Sequence, residues 1–385
     1  MLNPFYWYSV IWGFVLCLYK LGWSSYNLKL NFYLELFLIL SIIGSTFLGF
    51  LFRKVFIYKE ISVNKNHKNT FTIFAVILTF LEFILSKNIP LISISLGRSS
   101  YGDFEGIPLV HTLLENFIIF YSAYLFYLFL ETNKKEFFKE VCVLVSLLLL
   151  MFHKGAVLFC LFIIINLIIA KIRVHRKIFS ARVVVLLTII VFIIGYLNGG
   201  LANVRSGYAW SDNTFIYRIG SIKSWPILLP KQLCWAYVYL TSPLANLNLM
   251  VEKYMGVLNI QQLFVTIIPT FISKRFFPLL KIDTVKTYVL SISALNACTG
   301  LAESTVAGSI AGIWFYYCFF MFVIISLSLF LYYKKEKFQT PFFAILCMQA
   351  CFLFFYNTLT TAATSFLIFY IIIFYFLKKY KFKIK

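Results

Sequence analysis

Charged residues are scarce in this chain, and acidic residues are the scarcest. Asp, Glu, Lys and Arg make up 13% of the 385 residues, and only 14 residues are Asp or Glu. An average soluble domain has about twice that charged share. Hydrophobic residues reach 61%, including 45 Phe and 25 Tyr, which a water-soluble fold of this size cannot bury. The composition therefore excludes an ordinary soluble domain and predicts an all-α integral membrane protein.

Several catalytic motifs are absent. The sequence has no Gly-rich phosphate loop with Lys-Ser/Thr, no His-Glu-x-x-His and no Gly-x-Ser-x-Gly. Cys347 and Cys351 share a helix face, but no His or acid lies nearby in sequence to complete a metal site. Only Cys234 and Cys298 lie where an oxidising compartment could join them. We expect no cofactor and no metal.

The net charge of +21 is spread in short clusters between apolar runs. Nucleic-acid binding would need a basic face on a soluble domain, so this distribution argues against it. Five clusters hold 21 Lys and Arg in 53 residues, whereas the other connecting segments hold 12 in 153. The density differs about fivefold, so the positive-inside rule makes the dense set cytoplasmic. That set is Arg53–Asn69, Glu131–Glu140, Lys171–Arg182, Lys334–Gln339 and Lys378–Lys385.

Apolar runs predict about ten transmembrane helices with both termini cytoplasmic. The 30-residue run Val141–Ala170 is interrupted by His153-Lys154-Gly155, which predicts two short spans that turn there. We expect a bundle of about seven spans over 1–198, a large external loop region with interfacial helices over 199–310, and about three spans over 311–385. The other predicted spans are Pro4–Trp23, Phe32–Phe52, Phe71–Ser86, Thr112–Leu130, Val183–Asn198, Gly312–Tyr333, Pro341–Tyr356 and Ser365–Leu377.

Cations on the predicted external side are candidate phosphate ligands. Arg98, Arg205 and Arg218 lie in external segments, and Arg binds phosphate bidentately. The alternatives are contact with lipid headgroups and simple solvation of a loop. Lys154 breaks an apolar run, where a cation is costly unless it faces a wet cavity or an anion. Its alternative is a side chain that snorkels to the membrane surface.

Candidate proton acceptors surround the same predicted face. Asp103, Glu105 and His111 lie in or beside one Gly/Ser-rich loop and are candidate general bases. His111 is also suited to a place at the start of the next helix. Three acids fall within predicted spans and can pair with a buried cation, line a polar path, or lie at the membrane edge. They are Glu35, Glu82 and Glu115.

Several short segments resemble bacterial O-antigen polymerases, which join oligosaccharide repeat units. They are Asn3–Tyr8, Leu18–Ser24, Gly106-Ile107-Pro108 with His111, Trp235–Tyr239 and Ser242–Leu247. The resemblance implies a GT-C-like polymerase/ligase architecture in the bacterial inner membrane, with the active site on the periplasmic side. It implies transfer of a growing glycan from undecaprenyl pyrophosphate to a new lipid-linked repeat unit, without nucleotide sugar or metal.

The resemblance also suggests roles for individual residues. External arginines of that family match Arg98, Arg205 and Arg218 by loop position, and Lys154-Gly155 stands where relatives carry Arg-Gly. We therefore predict pyrophosphate binding by Arg98, Lys154, Arg205 and Arg218, and catalysis by Arg205, Arg218, His111 and Asp103. The implied partners are the lipid-linked oligosaccharide, membrane lipid, a chain-length regulator and a flippase. An O-antigen ligase, a lipid-linked oligosaccharide flippase and a membrane acyltransferase remain alternatives.

Overall fold

The structure is a computed structural model of the chain. It describes residues 2–61, 69–96, 106–107, 109–175, 181–276, 288–291, 294–334 and 338–379. Within these ranges the chain is helical and forms no strand, apart from an isolated bridge between Ser24 and Ile222. The all-α class predicted from composition is confirmed. The predicted pyrophosphate ligand Arg98, the predicted catalytic residue Asp103 and the candidate base Glu105 lie outside the described residues.

Fifteen helices follow one another along the described parts of the chain. They are α1 (Pro4–Lys20), α2 (Phe32–Leu51), α3 (Thr70–Ser86), α4 (Pro90–Ser95), α5 (Val110–Thr132), α6 (Lys135–Leu150), α7 (Lys154–His175), α8 (Ala181–Arg205), α9 (Thr214–Ile219), α10 (Leu233–Lys253), α11 (Ile260–Val265), α12 (Thr270–Phe276), α13 (Ala302–Tyr333), α14 (Gln339–Phe352) and α15 (Ala362–Lys379).

Four segments are long and apolar enough to cross a membrane by length and composition, so the chain has the helices of a membrane-embedded protein. They are Phe32–Leu51, Val110–Thr132, Lys154–Val174 and Ala302–Tyr333. Three shorter apolar helices, Thr70–Ser86, Gln339–Phe352 and Ala362–Phe376, coincide with other predicted spans. The total of about ten spans stays a prediction.

The predicted break in the run Val141–Ala170 is confirmed. Helix α6 ends at Leu150, and α7 begins at Lys154. The N–H of Phe152 donates to Leu149 and the N–H of His153 donates to Leu148, which is the hydrogen-bond pattern of a Schellman motif. Phe152 takes the positive φ of 61° that Gly usually supplies in this motif. The turn therefore places His153 and Lys154 side by side between two helices.

Helix α8 continues seven residues beyond the predicted end at Asn198. The predicted span ended at Asn198, directly before Gly199 and Gly200, and glycine generally weakens a helix interior. Here both glycines allow close packing. A Cβ on Gly199 would lie 2.0 Å from the carbonyl oxygen of Gln232, and one on Gly200 would lie 2.2 Å from the ring of Trp210. The extension puts Arg205 on the last turn of α8, whereas the sequence predicted it in a loop.

The region between α8 and α13 packs against the bundle. Helix α10 packs on α1, α8 and α13, and its residues Leu244 and Leu247 belong to the main core. Trp235 and Tyr237 are buried inside the protein. The Tyr237 hydroxyl accepts from the backbone N–H of Trp23 at 3.1 Å. Cys234 and Cys298 are both free thiols, so the disulfide considered for them is not formed.

The core is centred on α14. Every residue from Gln339 to Cys351 is buried, and α14 packs against α1, α5 and α7. Helices α3, α5, α6 and α7 pack on one another beside it. This group of four helices brings the C-terminal ends of α3 and α6 next to the N-terminal ends of α5 and α7, where the candidate functional residues meet.

Candidate functional site

A buried carboxylate links the end of α3 to the start of α5. Glu82 lies in the last turns of α3, and its side chain is 0% exposed. One oxygen accepts the backbone N–H of Ile107 at 3.2 Å, and the other lies 2.8 Å from Nδ1 of His111. Glu82 thus binds both the backbone of Ile107, just before α5, and the imidazole of His111 in the first turn of α5. His111, predicted as a catalytic residue, occupies the second position of α5.

A second carboxylate holds a second imidazole. Glu115 lies one helical turn after His111, and its Oε1 is 3.0 Å from Nδ1 of His153. The Nε2 atoms of His111 and His153 face one another at 3.3 Å. Two His–Glu pairs, one from α3 and α5 and one from α5 and the α6–α7 turn, therefore join through their imidazoles. We call Glu82, His111, Glu115 and His153 the histidine cluster.

Glycine is required beside the cluster. Gly106 has a φ of +55°, and a Cβ on it would lie 2.7 Å from Cγ of His111. Any other residue would be strained in its backbone and would also push against the imidazole. Gly106 therefore packs directly under the ring and fixes the side from which the chain approaches α5.

Two opposing effects act on the proton affinity of His153. Burial lowers the pKa of His153, whereas the hydrogen bond to Glu115 and the charges of Glu115 and Glu82 raise it. The carboxylates dominate, so the pKa of His153 lies above its ordinary value. The cluster is therefore a site that favours positive charge between its two imidazoles.

One of the predicted phosphate ligands lies next to the cluster, and a second acts on it electrostatically. Lys154 follows His153 directly, and its Nζ lies 4.4 Å from the centre of the Phe152 ring. The charge of Arg205 acts on Lys154. Both side chains are exposed. Two like charges that approach one another repel, so the arrangement is favourable only where water or an anion screens them.

A buried asparagine fixes the chain around Arg205. Asn203 is 0% exposed, and its Oδ1 accepts from Nε1 of Trp235 at 2.6 Å. Its Nδ2 donates to the carbonyl of Trp210 at 3.1 Å and to Oδ1 of Asn213 at 3.0 Å. The last turn of α8 is thereby tied to α10 and to the segment before α9. The position of Arg205 follows from these contacts.

The other predicted cations are not brought into this group. Arg218 lies on α9, exposed, with its guanidinium 5.9 Å from the centre of the Phe215 ring. Among the described residues, the cation whose charge acts on Lys154 is Arg205 and not Arg218. Among the described residues, Lys154 is thus adjacent to the histidine cluster and is acted on by the charge of Arg205, whereas no such link is seen for Arg218.

The opposite end of the same helices carries a different polar group. Glu131 accepts the Tyr58 hydroxyl at 2.5 Å and the N–H of Ile61 at 3.0 Å, and it pairs with Lys171 at 3.1 Å. These residues lie in or beside segments predicted to be cytoplasmic. The histidine cluster and Glu131 thus lie at opposite ends of α5, as the predicted alternation of spans requires.

The sequence predicted His111 as a catalytic residue and also drew attention to Glu82, Glu115 and His153. It did not predict that these four side chains contact one another. His111 and Glu115 have the i, i+4 spacing that places two side chains on one helix face, which was a detectable signal. The link to Glu82 and to His153 depends on packing between helices. Glu35, the third acid considered, is different: it forms an exposed pair with Lys20 at 2.6 Å.

Comparisons with protein-family models, with curated proteins and with solved structures gave no match to this chain.

Proposed function

We propose that the protein is a membrane glycosyltransferase that polymerises lipid-linked oligosaccharide repeat units, as the resemblance to O-antigen polymerases implies. The observation that carries the proposal is the position of Lys154 directly after His153 of the histidine cluster, at one end of the helix group and within electrostatic reach of Arg205. A pyrophosphate between the two cations would relieve their repulsion. The nearby imidazole supplies a proton acceptor.

The proposed reaction divides these roles. The acceptor hydroxyl of one lipid-linked repeat unit attacks the anomeric carbon of the growing glycan, and the bond to the pyrophosphate oxygen breaks. Undecaprenyl pyrophosphate leaves with the bonding electrons, and Lys154 and Arg205 stabilise its charge. His111 accepts the hydroxyl proton on Nε2, because Glu82 holds the Nδ1–H of the ring. The donor is already activated, which explains why no nucleotide-binding motif is needed.

We place this chemistry on the periplasmic side of the bacterial inner membrane. The basis is the fivefold charge asymmetry, by which the histidine-cluster end of α5 faces away from the Lys/Arg-rich side. Arg218, Arg98 and Asp103 remain predicted members of the site, with Arg218 also predicted to act in catalysis. A chain-length regulator and a flippase are the expected partners in the membrane.

The glycan carried by a strain lacking this protein tests the proposal. We expect a single capped repeat unit in place of a ladder of chain lengths, restored by the wild-type gene. Loss of all attached glycan with polymer left on the carrier lipid would instead indicate a ligase. Accumulation of repeat units on the cytoplasmic face would indicate a flippase. Either of these two results contradicts a polymerase.

A further inference from the structure

The histidine cluster has a geometry that the proposed transfer does not require. One proton acceptor needs one imidazole held by one carboxylate, but here two such pairs point at each other. The Nε2 atoms are 3.3 Å apart, the ring planes are at 86° and the ring centres are 4.9 Å apart. The two rings meet at an angle, so their nitrogen atoms can be directed towards one common point.

This separation matches two ligands on one metal ion. Imidazole nitrogens bind Zn²⁺ at 2.0–2.1 Å in tetrahedral geometry, which places two such nitrogens about 3.3 Å apart. One possible ligand atom from each of His111, Glu115 and His153 lies within 4.8 Å of the others. Glu115 can add a carboxylate oxygen as a third ligand when its side chain turns from Nδ1 of His153, which its Oε1 contacts at 3.0 Å, towards the ion.

The surrounding contacts are those of a built metal site. Histidines that bind metals commonly donate one ring N–H to a carboxylate, which fixes the tautomer and directs the second ring nitrogen to the ion. His111 has this arrangement, with Glu82 2.8 Å from its Nδ1. Glu82 is completely buried, so its negative charge favours a cation nearby.

We propose that the histidine cluster binds one divalent transition metal of the Zn²⁺ class between the Nε2 atoms of His111 and His153. Glu115 is the third ligand and Glu82 the carboxylate that orients His111. Two imidazoles and a carboxylate suit Zn²⁺ rather than Mg²⁺ or Ca²⁺, which prefer oxygen ligands. The fourth position is open to water. The ion takes no part in the proposed transfer, although His111 is common to both, and its binding is proposed in place of the expectation that no metal binds.

Metal binding has a consequence for the proposed function. An ion bound to Nε2 of His111 occupies the lone pair that would otherwise take the proton from the attacking hydroxyl of the lipid-linked repeat unit. Zn²⁺ therefore inhibits chain growth, and a chelator restores it. This consequence rests on the proposed function, whereas metal binding itself does not. Failure of the transfer assay would leave the metal site standing, and failure of metal binding would leave the transferase standing.

The first test is direct binding to the purified full-length protein in detergent after treatment with a chelator. We expect one Zn²⁺ per chain, and Co²⁺ as a spectroscopic probe should give visible absorption bands of a four-coordinate site. His153→Ala and His111→Ala should each weaken Zn²⁺ binding at least 100-fold, and Glu82→Gln about 10- to 100-fold. His67→Ala is the control, with unchanged binding. Retained binding in both histidine variants would overturn the proposal.

A second measurement needs no variant, so a folding defect cannot obscure it. Diethyl pyrocarbonate modifies accessible imidazole nitrogens, and mass spectrometry locates the products. We expect Zn²⁺ to protect His111 and His153 from modification in the wild-type protein and to leave His67 reactive. Equal modification of His111 and His153 with and without Zn²⁺ would overturn the proposal.

Discussion

His111 and His153 are 42 positions apart in sequence, yet their Nε2 atoms lie 3.3 Å from each other. His111 is fixed by Glu82 from α3, and His153 is fixed by Glu115 from α5. The contact between His111 and His153 thus connects α3, α5 and the turn between α6 and α7, in a bundle that is otherwise packed by apolar side chains. A change at any one of the four side chains is expected to move the other three.

Gly106→Ala tests whether close packing beneath His111 positions the ring. The new Cβ would lie 2.7 Å from the imidazole at a φ of +55°, a conformation that costs a non-Gly residue about 1–2 kcal/mol. We expect at least a tenfold loss of long glycan chains in a complementation assay at normal protein level. Gly13→Ala is the matched control, because a Cβ on Gly13 meets nothing within 4 Å. Equal activity of the two variants would contradict the positioning role.

Glu82→Ala and Glu35→Ala compare a buried carboxylate with an exposed one. Removing the Glu82 side chain leaves His111 and the N–H of Ile107 without its oxygens, and breaking a buried pair typically costs about 3–5 kcal/mol. The exposed Glu35–Lys20 pair contributes about 1 kcal/mol or less. We expect a clearly lower thermal unfolding temperature in detergent for Glu82→Ala only. Equal shifts would show that the cluster does not stabilise the bundle.

Lys154→Met and Lys154→Arg separate the charge of Lys154 from its packing. If Lys154 binds pyrophosphate together with Arg205, Met should abolish long chains and Arg should retain them, since Arg keeps the charge and adds a bidentate fork. Arg205→Ala should resemble Lys154→Met, and Arg205→Lys should rescue only in part. Membrane insertion and protein level serve as controls. A normal ladder from Lys154→Met would mean that Lys154 is a snorkelling surface residue.

Reporter fusions test the side on which the cluster lies. Fusions after Lys154 and after Lys223 should report the periplasmic side, and a fusion after Lys134 should report the cytoplasm. Lys134 lies in Glu131–Glu140, one of the five clusters in which Lys and Arg are dense, and the positive-inside rule makes these clusters cytoplasmic. The same side for Lys134 and Lys154 would rule out the two-span interpretation of Val141–Ala170.

The amino-acid composition predicted that the fold is helical and that its helices are apolar enough to lie in a membrane. The break at His153 was predictable because a 30-residue apolar run is too long for one span and polar residues interrupt it. The end of α8 was not, because Gly199 and Gly200 are explained only by the close approach of Gln232 and Trp210. Burial of Trp235 and Tyr237 was also missed, since aromatic residues suit both the headgroup level and a protein core.

Individual residues of the site could be predicted from the sequence, but their arrangement in space could not. His111 and Lys154 stood out as polar residues beside apolar runs, and Arg205 as a cation on the less basic side. The arrangement of His111 and Lys154 depends on the packing of α3, α5, α6 and α7, and the end of α8 that carries Arg205 is fixed by the contacts of Asn203. The Glu82–His111 contact joins residues 29 positions apart, which no helical spacing reveals.

Transfer by the purified protein tests the central claim most directly. The protein is stripped of metal, reconstituted in vesicles and supplied with a synthetic undecaprenyl-pyrophosphate-linked repeat unit, with no nucleotide sugar present. We expect products of two and more repeat units on the carrier lipid, together with one released undecaprenyl pyrophosphate for each glycosidic bond formed. We expect no such products from Lys154→Met. Repeat units that stay single in the presence of the wild-type protein would contradict the proposed polymerase activity.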